Sequence, residues 1–158
     1  MGKIAFVFSG QGAQKAGMGK SFYDNNETVK DLFDRAETLR SGTLAQCFSG
    51  TAEELKETQN TQPCLYLTDL AAAIALSEAG IPVDGVAGFS LGELPALAFA
   101  GAYSHLDGFR LACIRGRAMA KAAAERIISR VKGLDKGPGR LSIISGNLID
   151  KESVRALI

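Results

Sequence analysis

Ala87-Gly88-Phe89-Ser90-Leu91-Gly92-Glu93 lies between a short apolar run, Val83-Asp84-Gly85-Val86-Ala87, and an Ala- and Leu-rich run from Leu91 to Ala100. Its core fits G-x-S-x-G, a pattern in which a serine occupies a sharp strand-to-helix turn and projects its hydroxyl from the sheet edge. Gly88 and Gly92 leave no Cβ where the chain must approach itself and a ligand closely. The run before the turn reads as a buried strand and the run after it as a helix. Ser90 then stands at a helix start, where unpaired backbone N–H groups can stabilise a developing oxyanion, which makes it the candidate nucleophile. The competing reading is a Gly- and Ser-containing turn without chemistry.

The 158 residues suffice for one domain with a core, and 46% hydrophobic with 22% charged residues is ordinary for a globular chain. Eighteen basic and seventeen acidic residues leave a net charge of +1, so the balance points to neither nucleic acid nor a membrane surface. The apolar N-terminal run is too short for a signal peptide, and no run approaches the ~20 residues of a membrane span. Cys47, Cys64 and Cys113 are odd in number and sit in apolar or helical stretches, which suits free thiols in a reducing compartment and a cytoplasmic location.

Lys3 to Phe8 is apolar at nearly every position and reads as a buried strand. Gly10-Gln11-Gly12-Ala13-Gln14 follows it. This is either a plain connection or a turn that brings backbone N–H groups against a bound oxygen. Lys15 to Tyr23 and Glu27 to Leu39 read as helices, the second with Val29, Leu32, Phe33 and Ala36 on one face. Thr51-Ala52-Glu53-Glu54 and Ser104-His105-Leu106-Asp107 are capping-box patterns. Thr61-Gln62-Pro63 is read as the start of a helix, buried on all sides, that stops at Gly80; Gln62 is then a cap or a site residue. Pro95, counted from a helix capped by Ser90, falls just beyond the first turn.

Arg115 is the second informative residue. At ~100° per residue, Leu111, Ala112, Ala118, Met119 and Ala122 fall within about 60° of it, whereas Arg110, Arg117 and Lys121 lie on the other side. A guanidinium turned toward an apolar face needs a carboxylate partner, either Glu93 or a ligand. Its planar fork matches a carboxylate with two parallel hydrogen bonds. The helix is expected to end near Glu125, dividing an α/β body (1–125) from a small α+β appendage (126–158). The appendage is read as strands at Ile127–Val131 and Leu141–Ile144 and a terminal helix from Asp150 or Lys151. Its basic residues form a solvated face or a face for an acidic partner.

Four motifs together resemble those of the malonyl-CoA:acyl-carrier-protein transacylases and the related acyltransferase domains. Gly10-Gln11-Gly12-Ala13-Gln14 is similar to G-Q-G-S-Q, Thr61-Gln62-Pro63 to T-Q-P, Gly88-Phe89-Ser90-Leu91-Gly92-Glu93 to G-H-S-x-G-E, and Arg115-Gly116-Arg117-Ala118-Met119 to R-G-x-x-M. The resemblance runs from Met1 to about Glu125. It implies an α/β fold with a hydrolase-like parallel-sheet core and, after residue 125, part of a ferredoxin-like small subdomain. By resemblance, Ser90 takes the malonyl group from coenzyme A and passes it to the phosphopantetheine thiol of acyl carrier protein, in fatty-acid or polyketide biosynthesis. Backbone N–H groups of Gln11 and Leu91 would hold the oxyanion, Arg115 would grip the malonyl carboxylate, and Gln62 and Glu93 would support these groups from behind. No bound cofactor or metal is implied, since the coenzyme A thioester is a substrate; the implied partners are malonyl-CoA and acyl carrier protein.

Two departures stand out. Phe89 replaces the histidine that usually precedes the serine. The family's catalytic histidine belongs to a later segment, whereas the one histidine here, His105, matches nothing catalytic by position. The chain therefore reads as an N-terminal portion of a transacylase. A module that binds acyl-CoA or carrier protein without turnover and a generic serine hydrolase are the alternatives; the hydrolase leaves Arg115 and the Gln11 loop unexplained.

Overall fold

The computed structural model describes residues 2–131. Strand β1 (Ala5–Phe8) is followed by α1 (Lys20–Asn25), α2 (Glu27–Leu39), α3 (Thr43–Ser49), α4 (Ala52–Lys56) and α5 (Thr58–Glu78). Strand β2 (Gly85–Gly88), a 3-10 turn (Ser90–Gly92), α6 (Glu93–Phe99) and α7 (His105–Val131) complete it. The architecture is helix-rich α/β, with β1 and β2 paired in parallel, Ala5 opposite Gly85 and Phe8 opposite Gly88. Met1–Ala122 forms one compact unit and Ala123–Ile158 a second, whose described part is the end of α7. No helix among the described residues is long and apolar enough to cross a membrane.

α5 is the centre of the first unit. Cys64, Leu65, Tyr66, Leu67, Leu70 and Ala71 are all buried, in one cluster with Val29, Leu32, Phe33 and Ala36 of α2, Cys47 of α3, Leu55 of α4, Leu91, and Phe109 and Ala112 of α7. The apolar face read for α2 is the face it buries, whereas α5 is buried on all sides only over residues 60–67; beyond them Thr68, Asp69, Ala72 and Ala75 are half-buried and Leu76 is exposed. Phe33 and Phe48 stack at 5.8 Å, and Tyr23 closes on Phe48 at 5.2 Å. The three cysteines are buried free thiols.

Local chemistry sets the ends of these elements. Thr51 and Glu54 form the reciprocal capping box that opens α4, and the Asp107 amide donates to Ser104 Oγ at 3.1 Å ahead of α7. α5 closes in a Schellman motif. The Ile81 amide donates to the Leu76 carbonyl and the Gly80 amide to that of Ser77, with Gly80 at φ 80°.

Several expectations are corrected. α1 begins at Lys20, not Lys15, because residues 16–19 form a turn ahead of it. α5 starts at Thr58, where the Glu57 carbonyl accepts from Asn60 and Thr61, so Pro63 lies inside the helix and leaves the Gln59 carbonyl without its helical donor. Gln62 is therefore no cap. Because the 3-10 turn intervenes, α6 begins at Glu93 and Pro95 falls in its first turn, where a missing N–H costs nothing. α7 continues to Val131, so Ile127–Val131 is helix, not strand. The expectations for Leu141–Ile144, for the terminal helix and for most of the ferredoxin-like appendage lie outside the described residues. Finally, β1 and β2 are not buried: of β1, Phe8 alone is.

Two contacts fix the strand ends against each other and against α5. A Cβ on Gly92 would meet the Phe8 carbonyl oxygen and lie 2.6 Å from that of Ser9. Ser9 Oγ in turn donates to the Asp69 carboxylate of α5, 3.0 Å from either oxygen. Gly92→Ala is accordingly expected to cost about 1–3 kcal/mol through overpacking, whereas Gly85→Ala, which points into open space, should be near neutral; urea unfolding of both variants compares them. Burial pushes the Asp69 carboxyl up to about 6 against the Ser9 hydrogen bond, which lowers it. Between ~3.9 and that value the folded chain holds a proton that the unfolded chain has lost, so stability falls as pH rises through this window. Asp69→Asn should thus raise the thermal midpoint relative to the parent above the window and give no relative gain below it; equal effects at both ends would contradict the assignment.

Candidate active site

The C-terminal ends of parallel strands β1 and β2 deliver two loops side by side. The amide of Phe89 donates to the Phe8 carbonyl at 3.2 Å, which extends the strand pairing to the turn itself. Ser90 follows at φ 54°, the one non-glycine residue in the left-handed region among those described, a conformation worth about 1–3 kcal/mol in strain. What holds it there is visible on either side. A Cβ on Gly88 would collide with the backbone of Gly92 and Glu93, and one on Gly92 with that of Phe8 and Ser9. The two glycines thus let the turn fold onto itself and onto β1, and Ser90 stands exposed at its apex.

Ser90 Oγ accepts a hydrogen bond from Arg115 Nη2 at 3.2 Å. Arg115 Nη1 is buried without a hydrogen-bond partner. The guanidinium therefore keeps one donor on the serine and leaves another in a desolvated place without an acceptor, an arrangement that favours an anion. The proposed internal pair with Glu93 is not formed: Glu93 is exposed on α6. The face of α7 also differs from the one expected. Gly108, Phe109, Ala112, Cys113 and Gly116 are buried on it, whereas Leu111 and Met119 are exposed, so Arg115 flanks the buried stripe and is half-buried.

A circuit of contacts joins the remaining motif residues. Gln11 Nε2 donates to Thr58 Oγ1 at 3.2 Å at the start of α5. The Thr58 carbonyl lies against Gly116 of α7, where an added Cβ would sit 3.0 Å from it. Gly116 adjoins Arg115, which meets Ser90. The circuit closes through Phe89, whose ring lies over Gly10, with Cδ1 2.6 Å from where a Cβ would be. Gln62 is fully buried beside this circuit, donating Nε2 to Met119 Sδ at 3.2 Å and holding Oε1 without a partner. Ser90, Arg115 and the Gln11 loop are thus brought together with Gln62 behind them, while Glu93 stands outside the circuit.

His105 lies elsewhere. Tyr66 Oη donates to its backbone carbonyl at 2.8 Å, and it lines a cavity of about 270 Å³ with Thr28, Asp31, Leu32, Arg35, Ile74, Ser104 and Leu106. Burial lowers its pKa from the usual histidine value. Two residues that shape the site lie outside the sequence motifs, Thr58, which anchors Gln11, and Asp69, which ties down Ser9; a third, Gly116, belongs to the Arg115 motif and admits α5 against α7. Gly116 carried a signal, since a glycine inside a strong helix usually marks a close approach.

The chain is similar to known proteins in sequence and in fold. The acyl transferase domain family matches residues 5–137. The malonyl CoA-acyl carrier protein transacylase of Bacillus subtilis (strain 168) is 44% identical over 138 residues, covering 85% of this chain and 44% of the relative. Among solved structures, the malonyl-CoA:ACP transacylase of Synechocystis sp. PCC 6803 superposes with a TM-score of 0.71 at 40% identity, over 76% of this chain and 41% of that one. A malonyl-transacylase solved in complex with a type II polyketide-synthase acyl-carrier protein does so at 0.70 and 34% identity, over 77% and 40%. The chain spans less than half the length of these relatives. Carried by the matched stretch and by the fold, the conclusion is that this chain belongs to the acyl transferase domain family.

Proposed function

We propose that the chain holds the nucleophile and the carboxylate grip of a malonyl-CoA:acyl-carrier-protein transacylase. One observation carries this reading: Arg115 places Nη2 on Ser90 Oγ while Nη1 is buried and unpartnered. A malonyl group has a carboxylate two bonds from the thioester carbonyl, so the same guanidinium can bind it and set the carbonyl beside Ser90. Ser90 Oγ attacks that carbonyl, the C–S bond breaks, coenzyme A leaves as its thiol, and the malonyl ester remains on the serine. The phosphopantetheine thiol of acyl carrier protein then attacks the ester and regenerates Ser90, a ping-pong sequence. In the proposed geometry the backbone N–H groups of Gln11 and Leu91 hold the oxyanion, and Gln62 and Glu93 support the site. Coenzyme A enters as a substrate thioester, and no cofactor is required.

The parallel β1–β2 pair with its elbow supports a hydrolase-like core, and the division of compact units near Ala122 supports a boundary close to residue 125 ahead of a ferredoxin-like small subdomain. The three buried free thiols support a reducing, cytoplasmic setting.

A second reading has its own support. The single histidine of the sequence lines a cavity made of other residues, so no histidine of these 158 residues is placed to take the Ser90 proton. Without another base the chain binds malonyl-CoA and turns over slowly or not at all. Intact-mass spectrometry separates the two. A malonyl adduct after mixing with malonyl-CoA, absent in Ser90→Ala, is the outcome expected of a competent nucleophile. Binding without an adduct selects the second reading.

The carboxylate grip has an independent test. Arg115→Ala should weaken malonyl-CoA binding by about 2–3 kcal/mol, roughly 30- to 150-fold, while changing acetyl-CoA binding little. Titration calorimetry with both thioesters measures it, and equal losses for the two would refute the role.

A further inference from the structure

Met119 is tied to both residues of the site that carry unsatisfied polar atoms, to Gln62 by a hydrogen bond and to Arg115 by helical spacing. Gln62, on α5, is fully buried and donates Nε2 to the Met119 thioether sulfur at 3.2 Å. Arg115 lies one turn before Met119 on α7, the i, i+4 spacing that makes two helical side chains neighbours. A long helical side chain leans over the turn on its N-terminal side, so Met119 lies toward Arg115, whose Nη1 is buried without a partner. A thioether is a weak acceptor. It holds the donors around it loosely, which leaves the guanidinium open to an incoming anion.

The same side chain is open to solvent. Of the two methionines among the described residues, Met18 is 4% exposed inside the core, whereas Met119 is 44% exposed. The three thiols, the other groups that a peroxide oxidises readily, are buried. Exposure therefore singles out Met119 for two-electron oxidation.

We propose that Met119 is a site of reversible oxidation whose sulfoxide oxygen becomes an internal acceptor, competing with a bound carboxylate for Arg115. In the forward step a sulfur lone pair attacks one oxygen of a hydroperoxide, the O–O bond breaks and an S–O bond forms. The proton of the transferred oxygen moves to the departing one, which leaves as water or an alcohol; the thioether is oxidised and the peroxide reduced. A methionine sulfoxide reductase working with a dithiol reverses the change, the oxygen leaving as water while the dithiol becomes a disulfide. The sulfinyl oxygen is a far stronger acceptor than the thioether and can take Gln62 Nε2 and Arg115 Nη1 together. An anion must then displace it. The competition with malonyl rests on the proposed carboxylate grip, whereas the oxidation and the new contact rest on Met119, Gln62 and Arg115 alone.

The experiment treats the 158-residue chain with dilute hydrogen peroxide and maps its peptides by mass spectrometry. Met119 should gain one oxygen about tenfold or more faster than Met18, a difference that disappears in urea, where both are exposed. Nitrogen-15 NMR follows the Arg115 side chain, assigned by its loss in Arg115→Lys. Its signal should shift on oxidation, return after reductase and dithiol, and stay fixed when Met119→Leu is treated alike. By calorimetry, oxidation should weaken malonyl-CoA by about tenfold or more and acetyl-CoA little, and peroxide should not alter the affinities of Met119→Leu. Should Met119→Leu fail to fold by circular dichroism, reversal by the reductase decides. Equal oxidation of Met18 and Met119, an Arg115 signal indifferent to oxidation, or the same shift in Met119→Leu would each overturn the proposal; the last would assign the effect to the cysteines. If the untreated chain does not prefer malonyl-CoA to acetyl-CoA, the grip fails and the Arg115 signal alone decides. A preference that survives oxidation would overturn the competition and leave the grip standing.

Discussion

The structure depends on a backbone-on-backbone contact: the turn after β2 rests directly on the end of β1. Gly88 against Gly92, and Gly92 against Phe8 and Ser9, leave no room for a single methyl group. This contact does more than permit a tight turn. It over-determines the conformation of the residue between the glycines, which is how Ser90 persists at φ 54° although the left-handed region disfavours any L side chain. The strain is local and its restraint is local, so the serine's position follows from two short stretches of backbone, residues 8–9 and 88–93. The same contact sets the β1–β2 register, because Phe89 donates to Phe8 where the strands end.

From that point the site is assembled by packing more than by charge. Gly116 lets α7 approach the first turn of α5, and this approach, not an ion pair, carries Arg115 to Ser90. An Arg115–Glu93 pair would have satisfied the guanidinium internally and removed its value as an anion site. Instead Glu93 is exposed and Arg115 retains a buried, unpartnered nitrogen. Gln62, fully buried with Oε1 unpartnered, adds a second unsatisfied polar atom. Two such atoms beside one exposed serine are costly to a fold, and a polar partner, water included, reduces that cost.

What could be read from the sequence follows the range of the interactions. The elbow, the two capping boxes, the Gly80 stop and the buried face of α2 are set within a few residues, and each is where its motif put it. Arg115 was legible as a residue needing a partner, but the helix face was misjudged by about one position, because the stripe was drawn through Leu111 and Met119 when Gly116 defines the contact. A glycine has no hydrophobic signal to contribute to a periodicity. Pro63 misled the start of α5 for a related reason: the helix tolerates it inside because Thr61 Oγ1 bonds back to the Leu55 and Glu57 carbonyls and tertiary packing buries that turn entirely. The Asp69–Ser9 tie spans sixty residues of sequence and left no local trace.

The apolar β1 sequence is the instructive disagreement. The strand was read as buried, and it is exposed. Composition reports the environment in which a strand is stable, whereas the described residues supply one neighbouring strand and cover β1 only through Ala73 of α5 and Ala96 and Phe99 of α6. A two-stranded parallel pair is marginal by itself, yet this one is held at its C-terminal end by the glycine contact and by Ser9 on Asp69. The nucleophile turn is thus independent of the sheet's completion. The contact of Arg115 with Ser90 is formed beyond the C-terminal end of the strands, while among the described residues the other edge of β1 carries no strand.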